Sequence, residues 1–465
     1  PFTEGIVTYY PQLLGYSVTP EEKTRQRLAL SQKARLLPPG AASGQPPVQV
    51  PLGHKRDEAE ALMLKAHFTN LWHGEWWAIS EAPEHDSAKK ENIQRLQRKG
   101  FKVYLYFCQP LRFPTSEIED WKKWINRAPD GSYMMELEPG GSGKTIACPD
   151  FSDDEFRNYY VEKVKRLITY YDPDGIAWDM HWGPGFGSTA GVFCWSKPQT
   201  GYWHGQWRAQ YEIYQWIKKT YPEKRVITNH PFGLSPTQLV SDATLMEMGI
   251  DGYPPQFLEL QKIYGRKTYL LVDLPWLRST GKNMQEMEDI YIKNMLYCQG
   301  IGIVFGCYGG NFMETAPDNT YYFKAPWMTR FQDFYDFNYR TSKVPVVNDQ
   351  DMMDQAIYNP AMLRGTSSIW LDDNHFIMTV YNWPQIDIPE EASAEILLKE
   401  KLVQAIRNIM VRRNLIAMQP SFDIKVFGAD GLLREHDFEF KKLPDSQLVF
   451  RGTLRKGELL TITSD

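Results

Sequence analysis

Several apolar runs of strand length in this chain end on a side chain that can move a proton or hold a hydroxyl group. Gly175-Ile176-Ala177-Trp178 runs into Asp179, Ala243-Thr244-Leu245-Met246 into Glu247, and Tyr269-Leu270-Leu271-Val272 into Asp273. An ionisable group closing a buried strand is costly unless it is paired or functional. Carboxyl groups so placed suit general acid–base or nucleophilic work. Glu247 is the only acid near the end of its run, and Met246 and Met248 flank it. Apolar neighbours of that kind raise a carboxyl pKa toward what a proton donor needs. Asp273 suits a hydroxyl-binding role or, in place of Glu247, that of the acid. Asp174, directly before Gly175, reads as a turn or helix-stop residue.

A second set of residues suits holding a substrate. Asn229 and His230 end the run from Val226, and His181 and Trp182 follow Asp179 closely. Trp72, His73, Trp76 and Trp77 form a dense aromatic and polar group, expected in a loop, and Trp276 and Tyr308 follow two later runs. Aromatic residues are 14% of the chain and include 15 Trp, more than site residues need, so most are expected in the core. Those at strand ends are candidates for stacking on the C–H faces of sugar rings.

These residues need a scaffold. The strand-length runs are Ile6–Tyr10, His67–His73, Val103–Phe107, Gly175–Trp182, Val226–His230, Ala243–Met248, Thr268–Asp273 and Gly302–Tyr308. Helical patterns separate them. Asp153–Tyr171 places Phe156, Tyr160, Val164, Leu167 and Ile168 on one face, with Ser152 or Asp153 as its cap. Gln206–Tyr221 and Met284–Gln299 have similar faces. Strands buried by alternating helices predict a parallel sheet, and eight of them predict closure into a (β/α)8 TIM barrel over residues 1–338. A doubly wound open sheet is the rival, but no GxGxxG follows the first run. From 339 to 465 the pattern changes to short strands and turns, predicting a C-terminal antiparallel β-sandwich. These are His375–Trp383, Phe422–Phe427, Phe438–Phe440, Gln447–Arg451 and Glu458–Thr463, with one helix expected over Ala392–Arg413. In a (β/α)8 barrel the C-terminal ends of all strands open on the active site, which is where Asp179, Glu247 and Asp273 fall.

The segment Tyr171-Asp172-Pro173-Asp174-Gly175-Ile176-Ala177-Trp178-Asp179-Met180, led by the helical pattern after Cys148, carries a resemblance. It resembles the fourth-strand region of retaining glycoside hydrolases with α-galactosidase-like or α-glucosidase-like barrels. There a helix leads into Asp-Gly, two hydrophobic residues, any residue and the nucleophilic Asp. The resemblance implies that Asp179 is the nucleophile. It also implies an acid/base from the sixth strand, which is Glu247 here, where those families often carry Asp. Retaining chemistry needs the two carboxyl groups about 5 Å apart. The segment Phe376–Trp383 is similar to strands of the accessory β-domains of the same enzymes. The implied partner is a carbohydrate substrate, and water is the only co-substrate. The same two acids held roughly 6.5–9.5 Å apart would instead serve an inverting enzyme. A non-catalytic carbohydrate-binding protein on a barrel scaffold, or a metal-dependent barrel isomerase or lyase, are the readings from other classes.

Other chemistries find little support. Gly140-Gly141-Ser142-Gly143-Lys144-Thr145 has Glu138 where a phosphate loop needs its first Gly. No HExxH or GxSxG occurs, so neither a catalytic metal nor a serine elbow is expected, and no cofactor is implied. Five scattered cysteines, Cys108, Cys148, Cys194, Cys298 and Cys307, form no CxxC pair. A net charge of −5 without a basic block argues against nucleic acid, and no run approaches the ~20 apolar residues of a membrane span. Pro1–Tyr10 shows no basic-then-apolar leader, and a start at Pro is read as a sign of trimming. Localisation and oligomeric state stay open, with export to the medium or a periplasm favoured.

Overall fold

A computed structural model describes residues 54–67, 69–76, 82–107, 113–114, 118–125, 127, 131–133, 135–137, 145–147, 149–178, 202–229, 240–246, 267–272, 281–307, 329–347, 350–358, 365–382, 391–413, 415 and 420–464. It contains two compact units, one including Trp72–Asp242 and the other Val48–Leu71 with Ala243–Asp465. The described chain begins with a helix, α1 (His54–Lys65), and a strand, β1 (Asn70–Trp76). A strand was expected from His67, but that residue takes a left-handed φ of 61° in the turn after α1. The strand therefore starts later and carries Trp72, His73 and Trp76 inside it, where a loop was expected.

The first unit is built on parallel strands. β2 (Lys102–Phe107), β6 (Gly175–Trp178) and β7 (Arg225–Asn229) lie side by side, with β1 next to β2. Parallel neighbours need a crossover between them. The helices α2 (Ser87–Arg98), α3 (Asp154–Tyr171) and α4 (Tyr202–Thr220) alternate with these strands in the chain. The predicted stripe of α3 is buried as expected, with Phe156, Tyr160, Val164 and Leu167 fully enclosed. The Asp153 carboxylate caps the helix by accepting from the Phe156 N–H at 3.0 Å, and Asp154 and Glu155 complement its dipole. At the other end Asp172 turns left-handed, φ 49°, and stops it. A small antiparallel sheet precedes α3, formed by β3 (Phe113–Pro114), β4 (Met135–Leu137) and β5 (Thr145–Ala147). Strands of two or three residues carry no readable periodicity, which is why none of the three was expected.

Three further parallel strands open the second unit: β8 (Ala243–Met246), β9 (Lys267–Val272) and β10 (Val304–Cys307). Helix α5 (Met284–Gly300), started by an Asn283–Glu286 capping box, precedes β10. Helix α6 (Gln332–Lys343) follows and places Asn338 against it. The Asn338 carboxamide accepts from the Phe305 N–H and donates to the Phe305 carbonyl, both at 3.0 Å. In a parallel strand these two groups point the same way, so Asn338 takes the place of a neighbouring strand at that residue.

The antiparallel expectation for the C-terminal part holds. One sheet has the order β11 (Ala356–Tyr358), β14 (Glu391–Leu398), β18 (Leu448–Arg455), β17 (Glu439–Lys442). The other runs β12 (Gly365–Leu371), β13 (Phe376–Asn382), β19 (Leu459–Ser464), β15 (Phe422–Phe427), β16 (Leu433–Arg434). Met378, Val380 and Ile462 from one sheet meet Ile396, Phe450 and Leu454 from the other in a shared core. The helix expected over Ala392–Arg413 is corrected. Its first part is β14, and only α7 (Glu400–Arg412) is helical. The alternation explains this: Ala394, Ile396 and Leu398 are buried while Glu391, Ser393 and Glu395 are exposed, which is a period of two. Leu402, Val403, Ile406 and Ile409 of α7 then close onto the same core.

Candidate active-site strand ends

The register of the first unit sorts its strands into two faces. Leu105 pairs with Ile176 and Phe107 with Trp178, and on the other side of β6 Ile176 pairs with Val226 and Trp178 with Thr228. The Trp178 ring lies 5.3 Å from Phe107 and stacks at 6.3 Å on Tyr160 of α3, so this face meets the helices. All six residues are essentially sealed from solvent. Tyr104, Tyr106, Ala177 and Ile227 alternate onto the opposite face. There Tyr104 lies over Gly175. A Cβ on Gly175 would stand 2.0 Å from the Arg225 carbonyl and 2.9 Å from the Tyr104 ring. Gly175 is thus needed for close approach of strands and not for a turn.

At the N-terminal edge of these strands one device occurs twice. The Asp174 N–H donates to the Val103 carbonyl at 2.8 Å, and its carboxylate accepts from the Val103 N–H at 3.0 Å. Asp242 treats Val226 the same way, at 2.7 and 2.8 Å. Each Asp directly precedes a strand and clamps the second residue of another. Lys102 and Gln97 complete the Asp174 site, and Lys218 and Tyr214 the Asp242 site. Burial pushes the Asp174 carboxyl up, but Lys102, the Val103 N–H and Gln97 outweigh it and hold the pKa below the usual carboxylate value. The stop role expected of Asp174 belongs to Asp172, and Asp174 is a strand clamp.

The C-terminal edge is where the sequence put its candidates. β6 ends at Trp178, β8 at Met246, β9 at Val272 and β10 at Cys307, and Asn229 is the last residue of β7. Asp179, His181, Trp182, His230, Glu247, Asp273, Trp276 and Tyr308 lie outside the described residues. In the second unit Val272 pairs with Cys307, so β9 and β10 end level with each other. The Phe305 ring packs on Tyr291 of α5 at 5.0 Å and near Phe334 of α6, which marks the helix-facing side of β10.

Trp72 and Trp76 fall within β1, as does His73, whose ring is buried beneath α2. The Asn92 oxygen is taken by Arg95, at 3.1 and 3.0 Å. The Asn92 amide nitrogen therefore donates to His73 Nε2 at 2.8 Å, which places the imidazole hydrogen on Nδ1. Nδ1 is buried and has no acceptor among the described residues. Burial, with Lys89 and Arg95 nearby, lowers the His73 pKa to about 4 and keeps the ring neutral. Tyr104 and Tyr106 were not among the candidates, although the alternating Val103-Tyr104-Leu105-Tyr106-Phe107 was the signal that sets them on the face away from the helices.

Among the described residues no three His, Cys, Asp or Glu side chains converge as metal ligands, and no helix is long and apolar enough to cross a membrane. Cys298, the one cysteine whose side chain is described, is a buried free thiol.

With that geometry in place, comparison with solved structures gives a fold likeness. A cycloisomaltooligosaccharide glucanotransferase from Paenibacillus sp., solved with cycloisomaltoheptaose, aligns over 89% of this chain and 83% of its own, at 7% identity and a TM-score of 0.55. The chain shares that enzyme's fold. A noncanonic maltogenic α-amylase from Thermotoga neapolitana aligns over 88% of this chain and 94% of its own, at 12% identity and a TM-score of 0.48. An α-galactosidase from Geobacillus stearothermophilus aligns over 88% of this chain but 53% of its own, at 10% identity and a TM-score of 0.47. Both fall under 0.5, and the fold likeness rests on the first. No family model matches the chain, and no characterised protein matches it by sequence.

Proposed function

We propose that this chain is a glycoside hydrolase that cleaves oligo- or polysaccharides by a retaining mechanism, with Asp179 as nucleophile and Glu247 as acid/base. The observation that carries the reading is the facing of β6. Trp178, the last described residue of β6, turns toward Tyr160 of α3, and the alternation of a strand supports the opposite facing for the residue that follows it. A carboxylate there ends a parallel strand at its C-terminal edge, where sheets of this kind bind their ligands. Asp174, at the other end of the same strand, is consumed by structural hydrogen bonds and is not a competitor for the role.

In this reading Asp179 attacks the anomeric carbon while the Glu247 carboxyl gives its proton to the departing oxygen. Water, deprotonated by Glu247, then releases the sugar from Asp179. Asp273, Asn229, His230 and His181 hydrogen-bond the glycosyl unit, and Trp72, Trp76, Trp182, Trp276 and Tyr308 provide stacking faces. His73 contributes through its Nδ1–H, the polar group that its contact with Asn92 leaves over. Residues 1–338 form the catalytic (β/α)8 barrel and 339–465 an accessory β-sandwich. The fold neighbour is named as a glucanotransferase, which favours a second reading. A sugar hydroxyl, in place of water, would resolve the same intermediate.

The experiment is a panel of aryl α- and β-glycosides with wild type, Asp179→Asn and Glu247→Gln. Proton NMR of the first-formed anomer and analysis of products at high oligosaccharide concentration accompany it. Loss of at least about a thousandfold in kcat for Asp179→Asn is expected. Product of retained configuration is expected, and longer products than the substrate would favour transfer. An Asp179→Asn enzyme with wild-type turnover ends the proposal.

A further inference from the structure

The accessory sheets carry a cleft that the catalytic reading does not use. It lies between the β12–β13 turn and one face of α7, with a volume of about 560 Å³. Ala405, Asn408, Ile409 and Arg412 follow the i, i+3, i+4, i+7 spacing of a single helix face. Leu371, Ala405 and Ile409 are its apolar lining residues. Planar polar groups of both kinds join them: carboxylates of Asp372 and Asp373, carboxamides of Asn374 and Asn408, and the Arg412 guanidinium.

Part of this rim is fixed by the protein. Asp372 accepts from the backbone N–H groups of Asn374 and His375, each at 2.7 Å, which holds the turn rigid. The hydrogen bonds from its turn and His375 hold its carboxyl below the usual range against the opposing effect of burial. Arg412 reaches across to Asp373, donating to its carbonyl at 3.1 Å and to its carboxylate. The Asn408 oxygen accepts from Gln404 at 3.0 Å, which leaves its NH2 pointing elsewhere.

We propose that this cleft binds a one- or two-ring segment of a neutral oligosaccharide. Its size falls in the range of small-molecule sites, roughly 300–1,000 Å³. Its chemistry is that of a polyol: apolar residues for C–H faces, and adjacent planar donors and acceptors for pairs of hydroxyl groups. The rim carries two carboxylates against one guanidinium, which disfavours phosphate and other anions. The proposal rests on the glycosidase reading for its choice of ligand, and it gives the sandwich a task of its own, gripping a polymer away from the catalytic residues.

The test uses the full chain and calorimetric titration with maltoheptaose, isomaltoheptaose and galactobiose. Wild type, Asn374→Ala/Asn408→Ala and Asp179→Asn are compared, with melting curves to confirm equal folding. At least one of these sugars is expected to bind Asp179→Asn as it binds wild type, and tenfold or more weakly to the double variant. Turnover of a small aryl glycoside should be unchanged in the double variant, while KM for a long glucan rises severalfold at constant kcat. The Arg412→Lys variant, which keeps charge but not the planar fork, should weaken binding less than the double variant. Sugar binding lost in the double variant with no hydrolysis anywhere in the panel would uphold the cleft and sink the catalytic reading. Equal binding by wild type and a well-folded double variant, or no binding by either, overturns the cleft.

Discussion

Replacing Asp174 and Asp179 separately should divide stability from catalysis along a single strand. Asp174→Ala removes the acceptor for the Val103 N–H, for Gln97 and for Lys102. A backbone N–H left without a partner in a half-buried site costs about 1–3 kcal/mol, and the Gln97 hydrogen bond adds about 1 kcal/mol. The Lys102 pair adds at most about 1 kcal/mol, since that lysine is 62% exposed. The expected loss is therefore about 2–5 kcal/mol. Asp174→Asn keeps an oxygen for Val103 and should lose only about 1 kcal/mol. Because the folded pKa is lowered, the charged form stabilises the protein fully above the unfolded value of ~3.9. That contribution fades as pH falls through the folded value, so wild type and Asp174→Asn should converge in acid. Urea unfolding followed by fluorescence at pH 7 and at pH 3 reads both effects, and turnover per folded molecule should stay at the wild-type level. Asp179→Asn should behave the other way, folding normally and losing turnover. An Asp174→Ala protein with an unchanged unfolding midpoint, or one that folds normally but is inactive, would refute the assignment of the two ends.

Other substitutions probe the same framework. Wild type should lose up to about 3 kcal/mol between pH 6.5 and 4 as the unfolded chain protonates His73 and the folded chain resists, and His73→Asn should flatten that slope in urea titrations. Asn338→Leu should cost about 2–4 kcal/mol by stranding the Phe305 N–H and carbonyl, read as a lower melting temperature, whereas Asn338→Asp should keep the acceptor alone and fall between. Gly175→Ala forces a carbon into the Arg225 carbonyl and the Tyr104 ring, so a drop in soluble yield or a destabilisation above about 2 kcal/mol is expected.

The parallel strands and the long helices were readable because their signals are strong. Gly175–Trp178 is an unbroken apolar run, and the stripe from Phe156 to Ile168 has helical spacing across several turns. The β14 error shows where this fails. Ile396, Leu397 and Leu402 fit a helix if read with α7, yet the alternation of Ala394, Ile396 and Leu398 with exposed polar residues belonged to a strand. Two periods overlapped at Lys399, and sequence gave no boundary between them. For β6 the sequence did not say which face meets the helices. That needed the contact of Trp178 with Tyr160, which joins residues from separate elements. The twin clamps at Asp174 and Asp242 were hidden for the same reason, since each serves a strand other than the one it precedes.

The contact between Asn338 and Phe305 has a bearing on how the protein behaves among copies of itself. A bare strand margin is a docking rail for foreign backbone, and crowded chains can zip together along it. Here a carboxamide from a helix sits on that rail and occupies both rungs at Phe305. Both backbone groups are met from within, in a site sealed from solvent, so at Phe305 the margin is closed by a helix of the same chain.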